Sequence, residues 1–393
     1  YRRQRQMCIR DSNFPVMMSI LMEQLINITD AIFLGHVGEV ELGASALAGI
    51  YYLAVYMLGF GFSIGLQVMI ARRNGEQHYK ETGRTFFQGV YFLSRMAVIL
   101  CLLLHLASPL ILRRLITSDE IYQAVIHYLD WRSFGLLFSF PFLAFRSFLV
   151  GITTTKALSV AAIMAICINI PFNYLLIFKL NLGISGAAMA SSLAEFGAFI
   201  VLLLYMWVRV DKVKYGLKVV YDGKVLIKLL RISVWSMLHF FVSVAPWFLF
   251  FVAIEHLGRT ELAISNITRS VSTVFFVIVN SFASTTGSLV SNLIGAGQGK
   301  ELFPVCHKVL RLGYAVGGPL IVMALWGNQW VIGFYTNNDN LVRLAFYPFI
   351  VMLLNYAFAL PGYVYINAVT GTGKTKLAFI FQLITILVYL IYL

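Results

Sequence analysis

The sequence predicts an all-α membrane protein. It should form two six-helix bundles related by a pseudo-two-fold axis along the membrane normal, with 11 of 12 transmembrane helices present. Three observations lead there: the composition, a series of long apolar runs, and a repeat of loop residues at a constant offset of 220 positions. Of the 393 residues 60% are hydrophobic, 15% aromatic and only 12% charged, and the mean hydropathy is +0.81. Soluble domains are about one quarter charged, so this balance belongs in a bilayer. The formal net charge of +13 does not indicate nucleic acid, because the basic residues sit in short loops between apolar runs, where they set orientation. Cys8, Cys101, Cys167 and Cys306 have no metal or redox spacing and read as packing residues.

Residues 1–12, YRRQRQMCIRDS, differ in character from the rest of the chain and read as a non-native leader. Runs long enough to cross a bilayer as helices come next in order: α1 (13–35), α2 (45–71), α3 (85–107), α4 (122–150), α5 (157–178) and α6 (184–209). After a polar linker (210–231) come α7 (232–256), α8 (262–294), α9 (305–327), α10 (343–368) and α11 (376–393). The N-terminal bundle is thus 13–209 and the C-terminal one 232–393, with a twelfth helix missing from the second. Counting Lys and Arg in alternate connections gives 17 on the side of the even connections against 5 on the other. By the positive-inside rule the even connections and the N-terminus face the cytoplasm, and a bacterial inner membrane is the expected location.

At an offset of 220, GHVGEVEL (35–42) pairs with EHLGRTEL (255–262), Gly75 with Gly295, Lys80-Glu81 with Lys300-Glu301, Pro141 with Pro361 and Gly151 with Gly371. These are loop residues and prolines, not the Leu matches that any apolar chain produces. Pro141 and Pro361 should kink their helices, since proline removes a helical hydrogen bond. The repeat also explains Gly373-Lys374-Thr375, which looks like part of a phosphate-binding loop. That motif needs glycine five positions before Gly373, and the residue there is Ala368. The segment is the second copy of GITTTK (151–156), a tight turn between two helices and no nucleotide site.

Ionisable groups within a span cost about 2.5–3.5 kcal/mol at its centre and are functional by default. In α1, Ser19, Glu23, Asn27 and Asp30 recur at helical spacing on one face, with Pro15 near the start inviting a bend. In α5, Asn169 and Asn173 lie four apart with Pro171 between them. In α6, Ser191 and Glu195 lie four apart. Asp130 and Arg132, at the outer end of α4, read as an interfacial pair. The charges inside the spans are mainly acidic, and no nucleophile–base or metal cluster suggests an enzyme.

NITDAIFLGHVGEVELGASAL at the end of α1, QVMIARRNGE after α2, and INIPFNYLLIF with LGISGAAMASSLAE in α5 and α6 resemble the multidrug and toxic compound extrusion (MATE) transporters. The likeness runs from 13 to 393 in order and includes both half-repeats. It implies two bundles facing a central cavity, and export of mostly cationic, amphipathic small molecules driven by inward H⁺ or Na⁺. It implies no cofactor beyond the coupling ion. In the branch resembled, the cation site lies in the N-terminal bundle, which assigns Asp30, Asn169, Asn173 and Ser191 to it. Na⁺, where it is the ion, would sit at Asp30, Asn169 and Asn173. Asn173 stands where part of the family has a second carboxylate, so Glu195 is the candidate for that charge. The other branch uses acids on α7 and α10, but here Phe250 is the repeat partner of Asp30, and 344–368 holds no acid. H⁺ is the preferred ion and Na⁺ the alternative. Asp30 would alternate between ionised and neutralised forms, repacking α1 at Pro15. A flippase for lipid-linked glycans is the alternative within the wider superfamily, disfavoured by the acidic balance. A channel is the alternative of another class, and the duplicated halves suit alternating access better. A monomer in the lipid bilayer is the expected state.

Overall fold

The computed structural model describes Met17, Gln24, Ile26, Thr29, Asp30, Phe33 and Leu34 of α1, together with residues 37–116, 119–244, 259–333 and 339–392. Among the described residues the regular elements are all helical. The α1 residues are helical, and α2 runs Glu39–Gly75, α3 Tyr79–Leu115, α4 Asp119–Gly151, α5 Lys156–Lys179 and α6 Gly183–Arg209. In the second half α7 runs Gly223–Ser243, α8 Arg259–Gly295, α9 Leu302–Trp326, α10 Asp339–Gly371 and α11 Thr375–Tyr392, with a short helix Asn328–Gly333 before α10. Helices are what a bilayer demands, because each backbone N–H and C=O must find its partner within the segment. Ile99, Leu102, Leu106 and Leu110 form an exposed stripe on α3 at helical spacing, facing where lipid would lie.

Two separate hydrophobic cores define the bundles. One gathers Phe62, Phe86, Phe140 and Phe148 with residues of α5 and α6. The other gathers Phe275, Phe282, Phe349 and Tyr356. Each bundle also receives residues of the first helix of the other half: Leu229, Ile232 and Met237 of α7 pack on the first core and Met17 of α1 on the second. These two methionines stand 220 positions apart, so the exchange obeys the repeat.

The turns obey it too. Backbone N–H groups of Glu76, Gln77 and His78 bond to the carbonyls of Arg72, Asn74 and Arg73, and those of Ala296, Gly297 and Gln298 bond to Asn292, Ile294 and Leu293 at the same offset. The left-handed residues correspond as well: Gln77 (φ 61°) with Gly297 (φ 70°), and Thr153 (φ 60°) with Gly373 (φ 85°). Gln77 and Thr153 adopt a conformation natural to glycine, which the second copy supplies at both places. Gly373 therefore makes a turn. Thr375 begins α11 and donates to the Ile232 carbonyl of α7 at 2.7 Å.

Three local features bear on the helices. Pro141 and Pro361 lie inside helical stretches, and α4 also carries a 3-10 turn at Ser133–Gly135. In α5 a π-turn at Tyr174–Lys179 follows Pro171, with the Leu180 N–H bonded to the Leu175 carbonyl five residues back. And α7 starts at Gly223, within the expected linker, because Asp222 Oδ1 accepts from the N–H groups of Lys224 and Val225 at 3.0 and 3.3 Å. The linker before it is anchored to α3 by Gln88, whose amide donates to the Val220 carbonyl at 2.6 Å.

The halves meet at the end that carries the basic loops. Gln67 donates to the Ser284 carbonyl at 3.3 Å, Ser288 to Val150 at 2.9 Å and Ser291 to Val68 at 2.6 Å. Asn74 Nδ2 donates to Asn292 Oδ1 at 2.9 Å, and Asn292 Nδ2 to the Gly151 carbonyl at 3.0 Å. The backbones touch at the repeat-related glycines. A Cβ on Gly75 would lie 2.0 Å from the Asn292 carbonyl oxygen, and one on Gly295 2.1 Å from that of Arg72.

Candidate functional site

Asp30 is buried, and its carboxylate is the centre of a polar group built by three helices. From α5, Asn169 Nδ2 donates to Oδ1 at 3.0 Å and Asn173 Nδ2 donates to the same oxygen at 2.6 Å. From α6, the Ser191 hydroxyl donates to Oδ2. The group is cross-linked internally. Asn173 Nδ2 reaches Asn169 Oδ1 at 3.1 Å, and Asn169 Nδ2 reaches Ser191 Oγ at 3.3 Å. The spacing explains the assembly, since Asn169 and Asn173 are one turn apart on a single face of α5. Asn169, Asn173 and Ser191 are buried as well. Asn173 Oδ1 is buried with no hydrogen-bond donor.

All three donors to Asp30 are neutral. A buried carboxylate in such a setting is costly unless it is hydrogen-bonded and its charge is answered. Three hydrogen bonds meet part of the need, and a cation or a proton would meet the rest. The available atoms are hard oxygens: the carboxylate, the unpartnered Asn173 Oδ1 and the Ser191 hydroxyl. That donor set fits an alkali cation and equally a protonated carboxyl. No group of three or more His, Cys, Asp or Glu that could hold a metal occurs among the described residues.

The structure brings together Asp30, Asn169, Asn173 and Ser191 and leaves Glu195 out. Glu195, the candidate for the second charge of the bundle, is paired with a base. Arg132 Nη1 donates to Glu195 Oε2 at 2.9 Å and Nη2 to Oε1 at 2.6 Å, a bidentate bridge that occupies both oxygens. Arg132 is accordingly no partner of Asp130 at the interface; its guanidinium lies 4.2 Å over the Tyr52 ring of α2. Arg146, buried on α4 with its guanidinium 5.7 Å from the Phe60 ring, is a second basic group inside the bundle. Among the described residues the interior charges are therefore balanced rather than mainly acidic. Pro15, Glu23, Asn27 and Phe250 lie outside the described residues. The sequence held one signal for the missed ion pair. Arg132 and Glu195 stand at similar depth from the starts of α4 and α6, at Asp119 and Gly183, and those helices run in the same direction.

Two helical bundles, with a buried carboxylate site inside one of them and a hydrogen-bonded seam at the end that carries the basic loops, define a membrane transporter. The MatE family profile matches residues 15–175 and 236–393, and the chain belongs to that family. It is similar to the probable multidrug resistance protein NorM of Idiomarina loihiensis, 21% identical over 351 residues that cover 84% of this chain and 73% of the relative. Multidrug and toxin extrusion protein 1 of Mus musculus is 26% identical over 320 residues, 76% of this chain and 55% of the relative. Among solved structures, an outward-facing multidrug resistance MATE transporter of the MOP superfamily superposes with a TM-score of 0.87 at 18% identity, covering 96% of this chain and 85% of that one.

Proposed function

We propose that this chain is a secondary active multidrug exporter that exchanges amphipathic, mostly cationic compounds for H⁺ or Na⁺ entering at Asp30. The observation that carries the reading is the Asp30 group itself: one buried carboxylate, three neutral donors and an unpartnered oxygen. A site of this kind exchanges one positive charge at little structural cost, because its oxygens are already gathered.

The seam supports alternating access. Its hydrogen bonds and glycine contacts lie at the end bearing the basic loops, which the positive-inside rule places in the cytoplasm of a bacterial inner membrane. Contacts of this kind would have to break for that end to open. In the cycle, the ionised Asp30 accompanies the drug-loaded protein, and neutralisation at the outer side repacks α1 against α5 and α6 and releases the drug. A one-for-one exchange of a monovalent cationic drug for H⁺ or Na⁺ moves no net charge, so the drive is the cation's own concentration gradient, and a tenfold one supplies the roughly 1.4 kcal/mol that a tenfold drug gradient requires. H⁺ is the preferred ion.

The test is efflux of a fluorescent cationic dye from proteoliposomes under imposed gradients. The wild type exports against a dye gradient. Asp30→Asn, which keeps the shape and loses the charge, does not. Normal gradient-driven efflux from that variant refutes the reading, and Na⁺-driven efflux at zero pH gradient reassigns the ion.

A further inference from the structure

Beside the Asp30 group lies an ion pair that the transport scheme leaves unused. Ser191 and Glu195 are one turn apart on α6, so the face that gives Ser191 to Asp30 gives Glu195 to Arg132. The pair is mostly enclosed, with the Arg132 and Glu195 side chains 12% and 22% exposed. Space is made for it. Gly135 sits in the 3-10 turn of α4, and a Cβ there would lie 2.4 Å from both Arg132 Nη1 and Glu195 Oε2. The Tyr52 ring covers the other side of the guanidinium. Arg132 is thereby held about one helical turn from Asp30, since their partners Glu195 and Ser191 are neighbours on one face of α6.

An arginine at that place is a hazard to a cation site, because it is a permanent positive charge that could answer Asp30 itself. We infer that Glu195 is a positioning residue for the coupling step: its bidentate hold on Arg132 keeps the guanidinium from neutralising Asp30, which leaves the carboxylate for the transported cation. This inference rests on the reading of Asp30 as the cation site. The charges of the three side chains then sum to minus one, which one monovalent cation cancels. The 3-10 interruption of α4 gains a purpose, since Gly135 without a side chain lets Arg132 turn toward α6.

The charge count orders a set of variants. Glu195→Gln leaves Arg132 and Asp30 as a neutral pair, and coupling weakens. Arg132→Gln leaves two carboxylates and tightens cation binding. The double variant Arg132→Gln/Glu195→Gln returns the count to minus one and restores coupling, an outcome that a merely structural bridge does not produce. The size comes from a unit charge acting over about 10 Å at an effective dielectric near 20, roughly a tenfold change in the cation concentration for half-maximal efflux.

The experiment measures dye efflux from proteoliposomes against Na⁺ concentration at fixed pH and against H⁺ gradient at fixed Na⁺. It uses the wild type, Asp30→Asn, both single variants and the double, with melting temperature and monodispersity recorded for each. The expected result is a half-maximal concentration raised roughly tenfold in Glu195→Gln, lowered in Arg132→Gln and near wild type in the double. A Glu195→Gln protein with unchanged cation dependence overturns the inference, as does a folded double variant that stays as impaired as the single. Should Glu195→Gln fail to fold, Arg132→Gln against the double decides, and equal cation dependence in those two overturns it. If Asp30→Asn itself retains gradient-driven efflux, the site reading fails and the inference with it; loss in Asp30→Asn with no change in Glu195→Gln removes the inference alone.

Discussion

Replacing Gly75 by alanine attacks the seam at its tightest point. The added Cβ would stand 2.0 Å from the Asn292 carbonyl oxygen, where ordinary contact begins at 3.4 Å, so α2 and α8 must separate there by about 1.4 Å. The neighbouring bonds from Asn74 to Asn292 (2.9 Å) and from Ser291 to Val68 (2.6 Å) stretch past hydrogen-bonding range with that displacement. Two such bonds are worth about 1–3 kcal/mol together. They exist only while this end is closed, so their loss shifts the conformational equilibrium toward opening by about 5- to 150-fold. Spin labels on cysteines at the exposed, repeat-related Lys80 and Lys300, in a background with the native cysteines replaced by serine, report the separation of the two ends by pulsed electron resonance. Gly75→Ala should populate a longer distance and slow efflux. An unchanged distance distribution in a folded Gly75→Ala protein refutes the view that these glycines seal the end.

Two further outcomes rest on close contacts. Gly135→Ala puts a methyl group 2.4 Å from Arg132 Nη1 and Glu195 Oε2, so the two side-chain ends must swing aside and the bridge loosens, read as a lowered melting temperature; an unchanged one contradicts the geometry. Thr375→Val removes the donor to the Ile232 carbonyl and costs about 0.5–1.5 kcal/mol, while neither it nor the wild type shows ATP-dependent stabilisation; a melting temperature that rises with ATP in the wild type revives a nucleotide role for the GKT segment.

The helices were legible because the bilayer imposes one rule on the sequence: long apolar runs with charge confined to the connections. The repeat was legible for a different reason. Its loops keep matching residues where the backbone leaves no choice, Gly75 with Gly295 and Gly151 with Gly371, and a Cβ at any of these four would strike a neighbour. Within the site, helical spacing placed Asn169 and Asn173 on one face and Ser191 and Glu195 on another, but periodicity says nothing about which faces meet. The meeting of Asp30 with α5 and α6 rested on the family resemblance. The Arg132–Glu195 bridge joins residues 63 positions apart through the 3-10 turn at Ser133–Gly135, and no local pattern announces such a turn. The seam was equally hidden. Ser and Asn side chains bonding to carbonyls of the other half carry no periodic signature, and only the paired Gly75 and Gly295 hinted at close approach.

The central claim is that one buried carboxylate couples cation entry to drug exit. The most direct measurement tracks both flows at once in proteoliposomes: cation uptake, by a pH-sensitive dye or radioactive Na⁺, beside dye efflux, in the wild type and in Asp30→Asn. The account predicts cation uptake that starts only when drug is supplied in the wild type, and neither drug-dependent uptake nor uphill efflux in the variant. Drug-stimulated cation uptake that persists in a folded Asp30→Asn protein would contradict it.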